Sequence, residues 1–599
     1  MFRKIPCFSM LLLCLCMRFG AVAQDMPDMW NKAASGTTTH PGLKWFQDAK
    51  FGLFIHWGLY SRLAGRWNDS SYYGSGEWIM NRAKAPAAAY AKVAASFNPI
   101  GFNAEEWAET AKEAGIRYLV ITAKHHEGFS MFDSKVTDFD IVDATPYKKD
   151  PMKALYAACS KRGIRFGFYY SQFLDWHEPN GGGNSWDFRE KEKDYQQYYR
   201  TKSIPQLKEL LTNYGPLGLV WFDMPGGLTV EQTRSMIDSL RALQPGCLFS
   251  SRIGHDLGDY RDFGDSEVPP VPIAGAWESI YTHNDSWGYI QHDLNFKSPT
   301  EIIRLLGNVA SKGGNLMLNV GPDGEGKWPV YSIEYLKATG KWLHIYGESI
   351  YGTTWGLIPA QPWGVTTSRP GRLYLHVWQV PANRELRVPG LTASVKSVSI
   401  LGAGTALKWK QLPEETVIHL PVTLPDTRST VLLVEYNGRQ ADLSQLRTQT
   451  VSSEYPQIDI PAVWAIFNGT AKSKLFTYSH YFGDWKHDNC ITGMNTPDDV
   501  VVFPLDVQDA GDYKVILDYA CEPGNAGQQG LVTLSGQQLP FLTLQTGTYS
   551  SHTPMQFIQH AVGIIHIDKA GKYNLAVKPA AGNKKELCWL RKVILQPVK

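Results

Sequence analysis

Charge of one sign is what this chain most plainly lacks. Its 599 residues carry a formal net charge of only +2, so there is no broad field to draw in nucleic acid or an anionic membrane surface. A membrane-spanning run is missing too. The apolar stretch Met10-Leu-Leu-Leu-Cys-Leu-Cys-Met17 is too short to cross a bilayer. Arg3 and Lys4 precede it and Ala21-Val22-Ala23 follow it, which is the layout of a secretory signal over residues 1–23. A secreted or periplasmic mature chain is therefore expected. A lipid anchor at Cys14 or Cys16 fits less well, because Leu rather than a small residue precedes each. Cysteine is sparse. Cys7, Cys14 and Cys16 leave with the signal, and Cys159, Cys247, Cys490, Cys521 and Cys588 remain scattered. No C-x-x-C pair exists, so a zinc ribbon has no support, and at most two disulfides can form.

Aromatics, by contrast, are abundant, at 12% of the chain with Trp 20 and Tyr 29. Flat rings stack on the C–H face of a pyranose while polar groups take its hydroxyls. Aromatics also fill cores, and composition alone does not separate the two uses. The length calls for two to four domains.

From about His40 onward, strand-like and helix-like segments alternate. Lys50-Phe-Gly-Leu-Phe-Ile-His56, Tyr118-Leu-Val-Ile-Thr122, Arg165-Phe-Gly-Phe-Tyr-Tyr170, Leu217-Gly-Leu-Val-Trp-Phe-Asp223, Leu248-Phe-Ser-Ser-Arg252 and Asn315-Leu-Met-Leu-Asn-Val320 read as buried strands. Between them lie helices with cap signals, namely Asn103, Asp150-Pro151, Thr229-Val-Glu-Gln232 and Ser298-Pro-Thr-Glu301. The alternation predicts a (β/α)8-like (TIM) barrel over residues 40–350, irregular between Asp259 and Gln291 where no helix signal appears. A small antiparallel β-sandwich is expected over 360–437. A polar linker leads to a C-terminal β jelly-roll module, resembling a carbohydrate-binding module, over 454–599. There Asp509-Ala-Gly-Asp-Tyr-Lys-Val515 and Lys569-Ala-Gly-Lys-Tyr-Asn-Leu575 read as paired strands with shared turn chemistry. The change of pattern predicts that the chain from 454 is dispensable for activity on a small aryl substrate.

The strand ends carry the chemistry. Asp223 closes a buried strand just before Met224-Pro225-Gly226-Gly227. A buried acid is costly without partners or a task. It caps the next turn, or it faces a barrel active site. The other strands end on His56, on Lys124-His125-His126-Glu127, on Tyr169-Tyr170 and on Arg252. Barrel sites draw on several strand ends at once. Further acids nearby are Glu77, Glu267 and Glu278. A carboxylate pair among aromatics and histidines is what glycoside hydrolysis needs, and Arg252 can keep an acid ionised. Two other readings remain. A metal-dependent barrel hydrolase would want a His-x-His strand end, but the first strand offers only His56. His125 and His126, being adjacent, would point to opposite faces of a strand. A non-catalytic glycan-binding protein would not require a buried Asp at this place.

Phe51-Gly-Leu-Phe-Ile-His-Trp-Gly58, Ala123-Lys-His-His-Glu-Gly-Phe129, Val220-Trp-Phe-Asp223 and Asn284-Asp-Ser-Trp-Gly-Tyr289 resemble the α-L-fucosidases of glycoside hydrolase family 29, over roughly residues 40–435. The resemblance implies an exo-acting, retaining enzyme that releases L-fucose from a fucosylated oligosaccharide or glycoconjugate. Asp223 stands in the nucleophile's place. The implied fucose contacts are His56, Trp78, His125, His126, Tyr170 and Arg252, with Trp287 as a wall. No metal or organic cofactor is implied. For the acid/base, Glu267 is preferred over Glu278. Glu267 lies in the Gly- and Pro-bounded loop Gly264-Asp-Ser-Glu-Val-Pro-Pro270, whereas Glu278 follows Trp277 in a stretch that reads as the next strand.

Overall fold

The computed structural model describes residues 40–479, 485–547 and 555–598, so the expected signal over 1–23 lies outside the described residues. Eight parallel strands form the first unit. They are β1 Phe51–Ile55, β2 Tyr118–Lys124, β3 Arg165–Ser171, β4 Leu219–Asp223, β5 Leu248–Phe249, β6 Arg261–Asp262, β7 Trp277–Thr282 and β8 Asn315–Val320. Their order is β5-β4-β3-β2-β1-β8-β7-β6. One parallel bridge between Ser250 and Tyr260 links the two ends of that order, so the sheet curls into a TIM-like barrel. β1, β2, β4 and β8 are buried along their whole lengths, because a parallel sheet is covered on both faces.

The helices start where their caps place them. α1 Leu43–Ala49 carries Phe46, whose carbonyl accepts from the Asn315 amide at 2.7 Å, and its ring lies 4.4 Å from that of Tyr260. It thus plugs the end where the strands begin. Asn103 accepts from the amide of Glu106 to open α2 Ala104–Glu113, and Asp150 does the same for α3 Pro151–Lys161. α4 is Ile204–Asn213. Complete capping boxes, Thr229 with Gln232 and Ser298 with Glu301, open α5 Val230–Arg241 and α6 Pro299–Ala310. α7 is Val330–Tyr346. Between Asp259 and Gln291 the chain forms β6, β7 and loops and no helix, as the missing helix signal implied, and a 3-10 turn, Ser251–Ile253, precedes them. The fifth strand is shorter than expected, and Arg252 belongs to that turn.

Residues 354–437 form two antiparallel sheets, of five and three strands. They dock on the barrel through Trp342, whose indole donates to Ser429 O at 2.8 Å, and Arg304, which donates to Arg428 O at 2.9 Å. The last unit packs two further sheets around one core containing Phe503, Val515, Leu575 and Leu595. The two turn-then-strand segments do not pair with each other. Gly511–Ala520 lies in one sheet and Gly571–Pro579 in the other. What they share is the turn: Tyr513 donates to Asp509 O at 3.1 Å and Tyr573 to Lys569 O at 2.7 Å, each reaching four residues back. Among the described residues no helix is long and apolar enough to cross a membrane.

Gly340 marks the tightest helix contact. A Cβ there would stand 1.9 Å from the Glu113 carbonyl oxygen, where α7 crosses the end of α2. In a free helix Gly→Ala gains about 1 kcal/mol. Here the overlap is with backbone, which cannot swing aside, and overpacking costs about 1–3 kcal/mol. Gly340→Ala is predicted to lower the melting temperature measured by calorimetry. An unchanged or higher Tm would show that α7 can shift freely.

Candidate active site

A cavity of about 430 Å³ opens where the barrel strands end. Side chains alternate along each strand, so the inward set is fixed by parity. Phe54 and His56 face in from β1, Tyr169 from β3, and Trp221 and Asp223 from β4. β3 and β4 pair in register, Tyr169 beside Trp221 and Ser171 beside Asp223. Tyr170 falls on the other face. Its hydroxyl donates to Gln206 Oε1 at 2.8 Å, and its ring takes the Lys124 ammonium at 4.8 Å. The tyrosine at the cavity is therefore Tyr169, not the expected Tyr170.

Asp223 accepts three hydrogen bonds. Tyr169 donates its hydroxyl to Oδ2 at 2.6 Å, and the Met224 amide donates to Oδ1 at 2.9 Å. Arg252 Nη1 donates to Oδ1 at 3.2 Å. Arg252 also bonds Asp262 through Nε, and Asp265 through Nη2 at 2.6 Å. Its guanidinium lies over the Trp221 ring at 4.6 Å. One cation thus holds two cavity carboxylates, Asp223 and Asp265, with Asp262 behind them.

The histidines are neutral acceptors. Burial lowers His56 to about 4 and His126 to about 3. Asn319 donates its amide to Trp287 O, so its Oδ1 must accept from His56 Nδ1–H at 2.7 Å. Ser171 donates to Leu174 O and accepts from His126 Nδ1–H at 2.7 Å. In both rings the proton sits on Nδ1, which leaves the Nε2 lone pair for a ligand hydroxyl. The His126 Nε2 stands 3.7 Å from Asp223 Oδ2. His125 stacks on Tyr169 with centroids 5.0 Å apart. The two adjacent histidines do not point to opposite faces. β2 ends at Lys124, its pairing slips between Thr122 and Lys124, and both rings follow in a turn that lines the cavity. Glu127, next in line, faces away and clamps the loop after β1 by accepting from the amides of Leu59 at 2.8 Å and Tyr60 at 3.2 Å.

Trp78 and Trp287 form walls, and Glu77 lines the cavity with its Oε2 accepting from the Gly288 amide at 2.7 Å. Burial raises Glu77 to about 7. The two glutamates expected as proton donors are placed elsewhere. Glu267 accepts from the Gly264 amide at 2.9 Å and does not line the cavity. Ser266 takes a left-handed φ of 61°, which breaks the alternation between Asp265 and Glu267, and Asp265 is the one that reaches the cavity. Glu278 is fully buried inside the barrel. Its carboxyl bonds the Tyr118 hydroxyl at 2.9 Å and the Trp221 indole at 2.8 Å, so it supports the ring on which Arg252 lies. Among the described residues no group of three or more His, Cys, Asp or Glu is arranged to hold a metal ion.

Thr477, Trp485 and His487 also line the cavity, from the last unit of the chain. Nothing in their local sequence pointed to the barrel. They bear against the expectation that the segment from 454 is separate from the site.

The sequence model of the family described as Alpha-L-fucosidase matches residues 20–348. Tissue alpha-L-fucosidase of Mus musculus is 31% identical over 438 residues, which is 66% of this chain and 91% of the mouse protein. The crystal structure of alpha-L-fucosidase from Vibrio sp. strain EJY3 is similar with a TM-score of 0.75 at 28% identity, covering 94% of this chain and 99% of that one. A family 29 alpha-L-fucosidase of Bacteroides thetaiotaomicron, trapped as a covalent intermediate with 2-fluoro-fucosyl fluoride in a glutamate-to-glutamine mutant, is similar at 29% identity. Its TM-score is 0.61, over 67% of this chain and 97% of that one.

Glu278 yields a pH prediction. Burial, then the Asp262 charge, raises it from 4.5 to about 8. A carboxyl raised in the folded state favours folding by holding its proton. That contribution is whole below about pH 4.5 and is lost as pH rises towards 8. Glu278→Gln stays neutral throughout. The Tm advantage of the natural chain over this variant is predicted to shrink steadily from pH 5 to pH 8. Parallel Tm curves would contradict a neutral buried carboxyl.

Proposed function

Since the chain belongs to the alpha-L-fucosidase family, glycoside hydrolase family 29, we propose that it releases L-fucose from fucosylated glycans with retention of configuration, using Asp223 as nucleophile and Asp265 as acid/base. The observation that carries this is the shared guanidinium. Arg252 bonds both carboxylates at one cavity, and a retaining pair stands about 5 Å apart.

In the first step Asp223 bonds to the anomeric carbon as the bond to the leaving oxygen breaks, and Asp265 gives that oxygen its proton. The Asp223 charge is then gone. Its loss removes like-charge repulsion on Asp265 and favours the ionised form needed as a base. In the second step water attacks the anomeric carbon, its proton passes to Asp265, and Asp223 leaves as carboxylate. Tyr169, the Met224 amide and Arg252 hold Asp223 in line. The Nε2 atoms of His56 and His126 accept from sugar hydroxyls, and Trp78 and Trp287 bound the ring. Asp265 is preferred to Glu77 because its side chain is 26% exposed at the mouth, where the leaving group departs. Glu77 is locked against the Gly288 amide on the wall. The N-terminal signal extends the proposal to a place of action outside the cytoplasm. The two packed sheets of the last unit support its reading as a jelly roll.

Asp223→Gly is predicted to lose several powers of ten in kcat on an aryl fucoside, and azide should restore part of it and give the β-fucosyl azide. Asp265→Ala should keep fast fucosyl-enzyme formation from an activated aryl fucoside, lose turnover of natural fucosides, and give the α-azide. If Glu267→Ala or Glu77→Ala shows that second pattern instead, the acid/base belongs there.

Tyr169→Phe removes a bond to an ionised group, worth about 1.5–3 kcal/mol, and should lower kcat/KM at least tenfold. Tyr170→Phe should lower Tm through the orphaned Gln206 and leave kcat/KM within about threefold, since its hydroxyl is outside the cavity. Equal kinetic losses in both would overturn the parity assignment.

A further inference from the structure

The strand pair Lys472–Ser479 and Trp485–Thr492 belongs to the C-terminal unit, and its register sets Thr477 opposite His487. Alternation divides its side chains between two faces. Phe476, Tyr478 and Asp488 bind the pair to its own unit. Phe476 stacks on Trp589 with centroids 4.8 Å apart, and Tyr478 donates to Asp488 at 2.6 Å. The other face carries Thr477, Trp485 and His487 to the barrel mouth. His487 Nε2–H donates to the backbone carbonyl of Asp265 at 2.7 Å, and its Nδ1 lies 3.2 Å from the Thr477 hydroxyl and 4.0 Å from Glu267 Oε2. The approach needs Gly264, where a Cβ would stand 3.0 Å from the His487 ring. The strand pair is therefore anchored beside the proposed proton donor. Trp485, two residues along, lines the same cavity yet is 37% exposed. A half-open indole that lines a sugar-sized cavity is a stacking surface for the C–H face of a pyranose.

We infer that the C-terminal unit builds the leaving-group subsite, with Trp485 as the platform for the sugar to which the fucose is attached. This rests on the reading of Asp265 as the acid at the leaving oxygen. The substrate class narrows accordingly, to fucosides whose leaving group is itself a pyranose. The unit is then part of the active site rather than a tethered glycan-binding module.

The test compares two substrates on the full chain: α-L-fucosyl fluoride, whose leaving group is one atom, and the best-cleaved member of a set of α1,2-, α1,3-, α1,4- and α1,6-linked fucosyl disaccharides. The readout is the ratio of kcat/KM, disaccharide over fluoride. Trp485→Ala should lower that ratio at least tenfold, mainly through KM, and Trp485→Phe should restore most of it. If the alanine variant fails to fold, Trp485→Gln reads the same ratio. A ratio within twofold of the natural chain, or a phenylalanine variant as impaired as alanine, overturns the inference. A natural chain that cleaves the fluoride and no disaccharide overturns it as well and leaves the fucosidase reading standing. A chain inactive on both substrates overturns that reading itself.

Discussion

Arg252 is the constraint on which the site depends. Its guanidinium bonds Asp223, Asp262 and Asp265, and its face lies on Trp221. Carboxylates brought together at a poorly hydrated site repel one another and lose solvation, and only a well-placed cation offsets both effects. A lysine would supply the charge but not the planar fork that reaches three acceptors at once. The residue sits in a short turn rather than on a strand, so the barrel must fix that turn by other means. Gln172 donates to Arg252 O at 2.8 Å, and Ser251 donates to Asp262 at 2.7 Å. Below, Glu278 holds the Trp221 indole in place. Glu278, deep in the barrel and raised by burial, thus orients the ring that orients the cation that holds Asp223 and Asp265.

The same geometry explains what the sequence could and could not reveal. Asp223 and His56 are legible because they lie at the ends of strongly apolar strands, where pattern and position agree, whereas Trp78, in the short turn Gly76–Trp78, comes only with the family resemblance. Tyr169 follows only once the structure supplies the register of β3 on β4. Counting back by twos from Ser171, the register partner of Asp223, gives Tyr169 and not its neighbour. Asp265 left no such trace. It lies in a loop without period, and a single left-handed residue, Ser266, decides that it and not Glu267 turns inward. His125 and His126 escape strand alternation because the strand stops at Lys124 and both follow in a turn.

The contribution of Thr477, Trp485 and His487 is the most distant from any local signal. It depends on docking between units some 200 residues apart, as in the His487–Asp265 bond with a separation of 222 positions. Composition could mark the C-terminal unit as β-rich, but no periodicity specifies which face of it meets the barrel.

The most direct test of the central claim is to trap the enzyme with 2-deoxy-2-fluoro-α-L-fucosyl fluoride, digest it with pepsin, and locate the added fucosyl mass by tandem mass spectrometry. The account predicts one labelled peptide with the ester on Asp223. A label on Asp265 or Glu77, or rapid turnover with no covalent adduct and inverted fucose as first product, would contradict it.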